Sequence, residues 1–271
     1  NKELEAVNKN INYQHKRITD SIQYAKRIQA AILPSENSVS QIETIKDQFV
    51  LFRPKDVVSG DFYWLSELED KVILAVGDCT GHGVPGAFMS MIGNDLLNEI
   101  IYHRKIYSPE KILAALDTAV RFTLHKENDN TKDGMDIAIC VLDKQSKTVA
   151  FAGAKMPLLI SKINSENEWE LIKAKAGSIG GIMQVKGDTT EVSYIAIDQP
   201  TKFYLFSDGV QDQFGGKRNK KFMRKNLCNL LHNGRNQPMS QQKIELEQTL
   251  DNWMGNGKQT DDMMVWGFQV G

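Results

Sequence analysis

The sequence predicts an α+β domain preceded by a long polar helix, and three patterns predict it. Short β-branched or aromatic runs bounded by Gly, Asp, Asn or Pro recur from Phe49 onward; helical periodicity is segregated between groups of them instead of alternating one for one; and apolar residues recur at sevens before Pro34.

The first element covers residues 1–33. Leu4, Ile11, Ile18, Ala25 and Ile32 are spaced by seven, Val7, Ile22 and Ile28 fill neighbouring positions, and no Gly or Pro intervenes. Two readings stay open: a helix packed on its own domain, or a short parallel coiled coil joining two chains. Gln14 and Ser21 at the alternate seam positions make any such coil a weak one.

Residues 34–271 form the second unit. Strands are expected at Phe49–Phe52, Lys71–Val76, Asp136–Leu142, Thr148–Ala152, Pro157–Ile160, Glu191–Ile197, Lys202–Phe206 and Met263–Phe268. Helices are expected at 85–103, 109–126, 218–232 and 239–254, the second opening with Ser108 as N-cap and Pro109 at the first helical position. Two helices thus fall between early strands and two precede the last. Asn128–Gly134 and Ser161–Glu168 read as polar loops.

Composition excludes several classes of function. The 271 residues are 41% apolar and 25% charged, with 33 Lys and Arg against 34 Asp and Glu, a net charge of −1. A surface for nucleic acid or anionic membrane needs a basic excess, which is missing. No run approaches the roughly 18–20 apolar residues of a membrane span. Cys79, Cys140 and Cys228 are widely spaced with no Cys-x-x-Cys pair, which fits a reducing compartment. A cytoplasmic location is expected, as is a longer signalling protein of which this is a part.

Aspartates beside glycines carry the chemistry. They are Asp61 in Ser-Gly-Asp-Phe-Tyr, Asp78 in Gly-Asp-Cys-Thr-Gly-His-Gly, Asp208 in Phe-Ser-Asp-Gly-Val, and the pair Asp261-Asp262 in Thr-Asp-Asp-Met. One such Asp is an ordinary turn residue; four at strand ends suggest carboxylates that converge. Converging carboxylates repel unless divalent charge neutralises them, and an all-oxygen donor set suits Mg²⁺ or Mn²⁺ better than Zn²⁺. Residue chemistry alone therefore points to a divalent-metal hydrolase.

These four motifs, in this order across residues ~45–270, resemble the SpoIIE-type (RsbU-like) branch of the metal-dependent, protein phosphatase 2C-like serine/threonine phosphatases. The stretch Ile22–Pro34 is also similar to the helix that precedes many such domains. The resemblance implies a two-sheet antiparallel β-sandwich with helices outside each sheet, and two Mn²⁺ or Mg²⁺ ions. Asp78 would bridge both ions; Asp61 and the Cys79 carbonyl would join one, and Asp208 and Asp261 the other. A water held between two such ions has a lowered pKa and attacks phosphorus in line, so no phosphoenzyme is needed. The implied substrate is a phosphorylated regulatory protein, such as an anti-sigma-factor antagonist.

Some positions depart from the family pattern or leave a choice. A His two residues after the bridging Asp has been given acid duty in relatives; here that place is Thr80, and His82 stands two further on, as either an acid or a helix-start residue. Arg53 and Lys55 are candidates for gripping phosphate. Asp262 is the alternative to Asp261, since alternation turns only one of them toward the ions. Asp133 and Asp136 offer a weak further site. Cys79 lacks the partners of a thiol nucleophile, Gly255–Thr260 lacks the first Gly of a phosphate loop, and Asp129–Gly134 lacks the closing Glu of a calcium loop. The competing class is a non-catalytic or latent phosphatase-fold module that binds a regulatory partner.

Overall fold

The computed structural model describes residues 2–35, 42–124, 133–163, 169–181 and 190–271. The loop expected at Asn128–Gly134 and the calcium-loop lookalike lie mostly outside these residues, as does most of Ser161–Glu168.

Helix α1 (Lys2–Ile32) leads into β1 (Asp47–Arg53), β2 (Asp61–Glu67) and β3 (Lys71–Cys79). Two helices follow, α2 (Gly83–Asn98), which runs on into a π-helical turn at Glu99–His103, and α3 (Pro109–Leu124). Next come β4 (Met135–Asp143), β5 (Thr148–Ala154), β6 (Leu158–Lys162), β7 (Glu170–Ile172), β8 (Ser193–Ala196) and β9 (Thr201–Phe206). The short α4 (Asp208–Asp212) precedes a hairpin of β10 (Phe214–Gly215) and β11 (Lys220–Lys221). Then α5 (Arg224–Asn233), α6 (Met239–Met254) and β12 (Met263–Val270) close the chain.

Two five-stranded antiparallel sheets, ordered β1-β12-β9-β6-β7 and β2-β3-β4-β5-β8, pack face to face. Val72, Leu74 and Val76 of one meet Phe203, Leu205 and Trp266 of the other in the central core. The outer face of the second sheet is covered by α2 and α3 through Leu97, Ile112 and Leu116, and that of the first by α5 and α6 through Leu227, Leu246 and Leu250. The layers are thus α-β-β-α. Central strands are buried on both faces, and for this reason Val72–Val76 and Met263–Phe268 are unbroken apolar runs without alternation.

Two expectations need correction. The Asp61–Trp64 stretch, read as a turn motif, begins strand β2 and pairs throughout with β3. Residues 218–223 are not helical: Phe214 and Gly215 pair with Lys221 and Lys220, and α5 starts only at Arg224. Left-handed backbone at Gly216 (φ 67°) and Asn219 (φ 44°) turns the chain back there, which helical periodicity does not register.

Helix α1 is exposed along most of its length, and only near its end does it bury a side chain, that of Gln29. The Gln29 amide there reaches Ser59 and Ser90, fastening the helix to the start of β2 and to α2.

Candidate active site

Strand register gathers the first carboxylates. Asp61 stands opposite Asp78 and Asp78 opposite Asp136, so β2, β3 and β4 present a row of three at one end of their sheet. The facing sheet contributes from two neighbouring strands: β9 ends one residue before Ser207-Asp208, and β12 begins just after Asp261-Asp262. Asp78, Asp136, Asp208 and Asp261 line a single open cavity of about 570 Å³, with Cys79 on its wall.

Asp61 is not on the wall of that cavity. It is only 2% exposed and accepts a hydrogen bond from the Ser207 hydroxyl at 2.6 Å, while its own amide donates to Ser59 Oγ at 3.0 Å. Ser207 Oγ also accepts from the Met264 amide at 3.0 Å, so this one hydroxyl ties Asp61 to the facing sheet. The two adjacent aspartates divide their tasks. Asp262 is buried and accepts from the amides of Lys55 and Gly60, both at 2.7 Å, whereas Asp261 faces the cavity.

The electrostatics follow from this crowding. Burial, then the charges of Asp208, Asp261 and Asp136, push the Asp78 carboxyl up to about 8. Burial and the Asp78 charge raise Asp61 well above the ordinary carboxylate range, against the Ser207 hydrogen bond. Asp208 is raised by burial and by Asp212 and Asp261. Several rigidly mounted oxygen donors that resist ionisation together make a set suited to hard divalent cations. Among the described residues, no three His, Cys, Asp or Glu side chains already stand as a closed coordination group. The Cys79 thiol is buried and pushed far up by desolvation, which makes it inert as a nucleophile.

Close backbone packing shapes the wall. A Cβ on Gly86 would sit 2.3 Å from the Gly81 carbonyl oxygen, and one on Gly60 would sit 2.5 Å from it, so only glycines let the loop after β3 nest between β2 and α2. His82 precedes α2 on this wall, its Nδ1 2.7 Å from Asp56 Oδ2. On the opposite side the buried Asp117 of α3 accepts from the Gly180 amide at 2.7 Å and from Arg121 Nε at 2.9 Å. That clamp fixes the 178–181 turn, whose Ser178 hydroxyl donates to Asp136 at 2.5 Å.

Other candidates fall elsewhere. Arg53 pairs with Asp251 at 2.8 Å, and neither it nor Lys55 reaches the cavity wall. Asp136 is on that wall and Asp133 is not. The residue missed in the sequence is Lys155, the one Lys or Arg among the described residues lining the cavity, its Nζ 3.8 Å from Asp136 Oδ1. It sits at φ 57° in the β5–β6 turn, and nothing in Gly-Ala-Lys-Met-Pro marks it out. Asp117 did leave a signal, a lone charge inside the Leu113, Leu116 and Val120 stripe.

Comparison with known proteins agrees with this geometry. The family described as Stage II sporulation protein E (SpoIIE) matches residues 69–270. The SiaA-PP2C domain of Pseudomonas aeruginosa is similar over 95% of this chain and 99% of its own, at 31% identity and a TM-score of 0.85. The PP2C phosphatase domain with a regulatory fragment of SpoIIE from Bacillus subtilis shares the fold at 21% identity and a TM-score of 0.63, over 83% of this chain and 61% of that one. The RsbU and RsbW domains of a Mycobacterium tuberculosis protein do so at 17% identity and a TM-score of 0.66, over 84% and 61%. None of the curated proteins matches. With its family match spanning both sheets and its likeness to the SiaA domain running nearly end to end, the chain belongs to the SpoIIE family of PP2C-like phosphatase domains.

Proposed function

We propose that this chain is a Mn²⁺- or Mg²⁺-dependent phosphoserine/phosphothreonine protein phosphatase. The observation that carries the reading is the meeting of Asp78, Asp136, Asp208 and Asp261 in one cavity, from positions as distant in the chain as 78 and 261. Asp78, Asp208 and Asp261 with the Cys79 carbonyl would hold the ions; Asp61, opposite Asp78 on the neighbouring strand, would complete the set or orient it. Bound there, divalent ions supply a water of lowered pKa and neutralise charge on the phosphoryl oxygens. Lys155 would meet the phosphate from the side of the β5–β6 turn, and His82, braced by Asp56, would lie near the leaving group.

Hydrolysis of p-nitrophenyl phosphate with Mn²⁺, with EDTA and with Asp78→Asn tests this. Metal-dependent turnover lost on substitution supports it; no turnover at any metal concentration would end it.

The natural substrate in this reading is a phosphorylated regulatory protein of a partner-switching system, the setting that the RsbU and SpoIIE likenesses suggest. A phosphoproteome comparison with and without the protein would name it. Helix α1 would pair two copies, since Leu4, Ile11 and Ile18 are 64%, 58% and 60% exposed along its heptad face. No described helix is long and apolar enough to cross a membrane.

A further inference from the structure

The near-neutral net charge conceals one strongly basic feature, the β10–β11 hairpin and the segment entering α5. Lys217, Arg218, Lys220, Lys221, Arg224 and Lys225 fall within nine residues, all exposed. Only two of them are engaged among the described residues: Lys221 pairs with Asp212 at 2.7 Å, and Arg224 Nε donates to Gln211 Oε1 at 2.7 Å. The remaining four carry no ion pair among the described residues.

Their mount is rigid. The fully buried Gln213 donates to the carbonyls of Phe214 and Lys258 and accepts from the Thr260 amide. Trp253 donates to the Gln213 carbonyl, accepts from the Gly216 amide at 2.7 Å, and stacks edge-on against Phe222. Glycine is required at 215, where a Cβ would meet the Trp253 carbonyl oxygen at 2.0 Å. A hairpin anchored this firmly at its base, yet with exposed cations and the exposed Phe214 and Met223 on its surface, is built as a platform and not as a loose loop.

The platform adjoins the carboxylate cavity. Gln211 and Arg224 line a narrow recess together with Asp78, Asp136, Lys155 and Asp208. A chain whose phosphoresidue entered the cavity would lay its neighbouring residues across this hairpin.

We infer that the β10–β11 hairpin is a docking surface for an acidic protein segment flanking the phosphoresidue, an inference that rests on the phosphatase reading of the cavity. Charge complementarity names the occupant: four exposed cations with no ion pair among the described residues, beside an anionic catalytic cavity, attract carboxylates next to the phosphate, while repelling basic sequences. Such rim charges act on specificity and encounter, and leave the chemical step alone.

The test uses the full chain and fluorescein-labelled phosphoserine peptides of equal length, one flanked by Asp and Glu and one by Ser and Asn, with anisotropy read in EDTA so that no turnover intervenes. The acid-flanked peptide should bind about tenfold more tightly, a preference that fades with salt. Lys217→Ser/Arg218→Ser/Lys220→Ser should erase the preference while kcat on p-nitrophenyl phosphate with Mn²⁺ stays unchanged. Equal binding of the two peptides, or a preference that survives the triple substitution, overturns the inference. So does tighter binding of a single-stranded oligonucleotide than of the acidic peptide, which would make the patch a nucleic-acid surface. Because binding is read without catalysis, absent turnover with an intact preference would refute the phosphatase reading and leave the docking surface standing.

Discussion

Gln29 and Ser59 are joined by two hydrogen bonds of opposite direction: the Gln29 amide nitrogen donates to the Ser59 carbonyl oxygen at 2.6 Å, and the Ser59 amide donates back to Gln29 Oε1 at 3.1 Å. Ser59 Oγ in turn receives the amide of Asp61, so the end of α1 is two residues and one hydroxyl from the carboxylate opposite Asp78. Gln29→Ala strands a buried donor and acceptor and should cost about 1–3 kcal/mol. Chemical denaturation measures the loss, and faster hydrogen exchange at Ser59 and Gly60 should accompany it. Stability within about 0.5 kcal/mol of wild type would show that the pairing holds nothing.

The raised Asp78 carboxyl makes the metal-free protein sensitive to pH. Its folded value of about 8 exceeds the ordinary 3.8, so between those values the folded chain holds a proton that the unfolded chain has released. Stability then falls as pH rises through that window. Melting in EDTA between pH 5 and 8 should show the decline, Asp78→Asn should flatten it, and Mn²⁺ should restore the melting temperature at pH 8. A melting temperature in EDTA that rises over the same range would contradict the crowding of charges.

Asp261 and Asp262 should separate function from stability. Asp261→Asn removes a cavity carboxylate and should lower metal-dependent turnover on the order of 100-fold, with folding stability unchanged or raised. Asp262→Ala leaves the Lys55 and Gly60 amides without their acceptor and should cost about 1–3 kcal/mol. Paired denaturation and kinetic measurements decide; the reverse pattern would exchange the two roles.

The same pair shows how far sequence reasoning reaches. Gly-Asp pairs and apolar runs pointed to the strand ends and the carboxylates, because turn chemistry and double-sided burial leave local marks. Strand alternation, which is also local, said only that one of Asp261 and Asp262 would face the cavity; the choice of Asp261 came from the resemblance to the family. Strand β2 escaped notice because Asp61-Phe62-Tyr63-Trp64 reads as a motif before it reads as a strand, and only pairing with β3 makes it one. Lys155 left no mark, since its nearness to Asp136 depends on β4 lying beside β5 and on a turn held by the Lys155 amide bonded to the Ala176 carbonyl at 3.0 Å. The basic hairpin was hidden for a different reason: Lys and Arg are good helix formers, so their run resembled the start of a helix until the left-handed turn residues reversed the chain.

Lys155 should display a trade between stability and activity. A non-glycine residue at φ 57° carries strain of about 1 kcal/mol, which the fold tolerates in order to present a cation at the cavity. Lys155→Gly should therefore keep or raise stability by up to about 1 kcal/mol while lowering kcat/KM roughly 10- to 100-fold, the loss expected for a charged hydrogen bond to phosphate. Lys155→Ala should lose the same activity without the gain in stability. Unchanged kcat/KM in both variants would remove Lys155 from the phosphate's surroundings.

The exposed stripe on α1 gives the last prediction. Ile11 and Ile18 lie one heptad apart and are 58% and 60% exposed, and burying two such side chains against a second copy would recover about 1.5–3 kcal/mol for each. Gln14 and Ser21, at the alternate seam positions, limit the gain, so the pairing should be weak and dependent on protein concentration. Sedimentation over a concentration series should show a shift toward dimer in the wild type and its loss in Ile11→Lys/Ile18→Lys. Both substitutions are far from Gln29, so melting of the catalytic domain at low concentration should not change. A wild-type chain that stays monomeric across the series would mean that the stripe serves some purpose other than self-pairing.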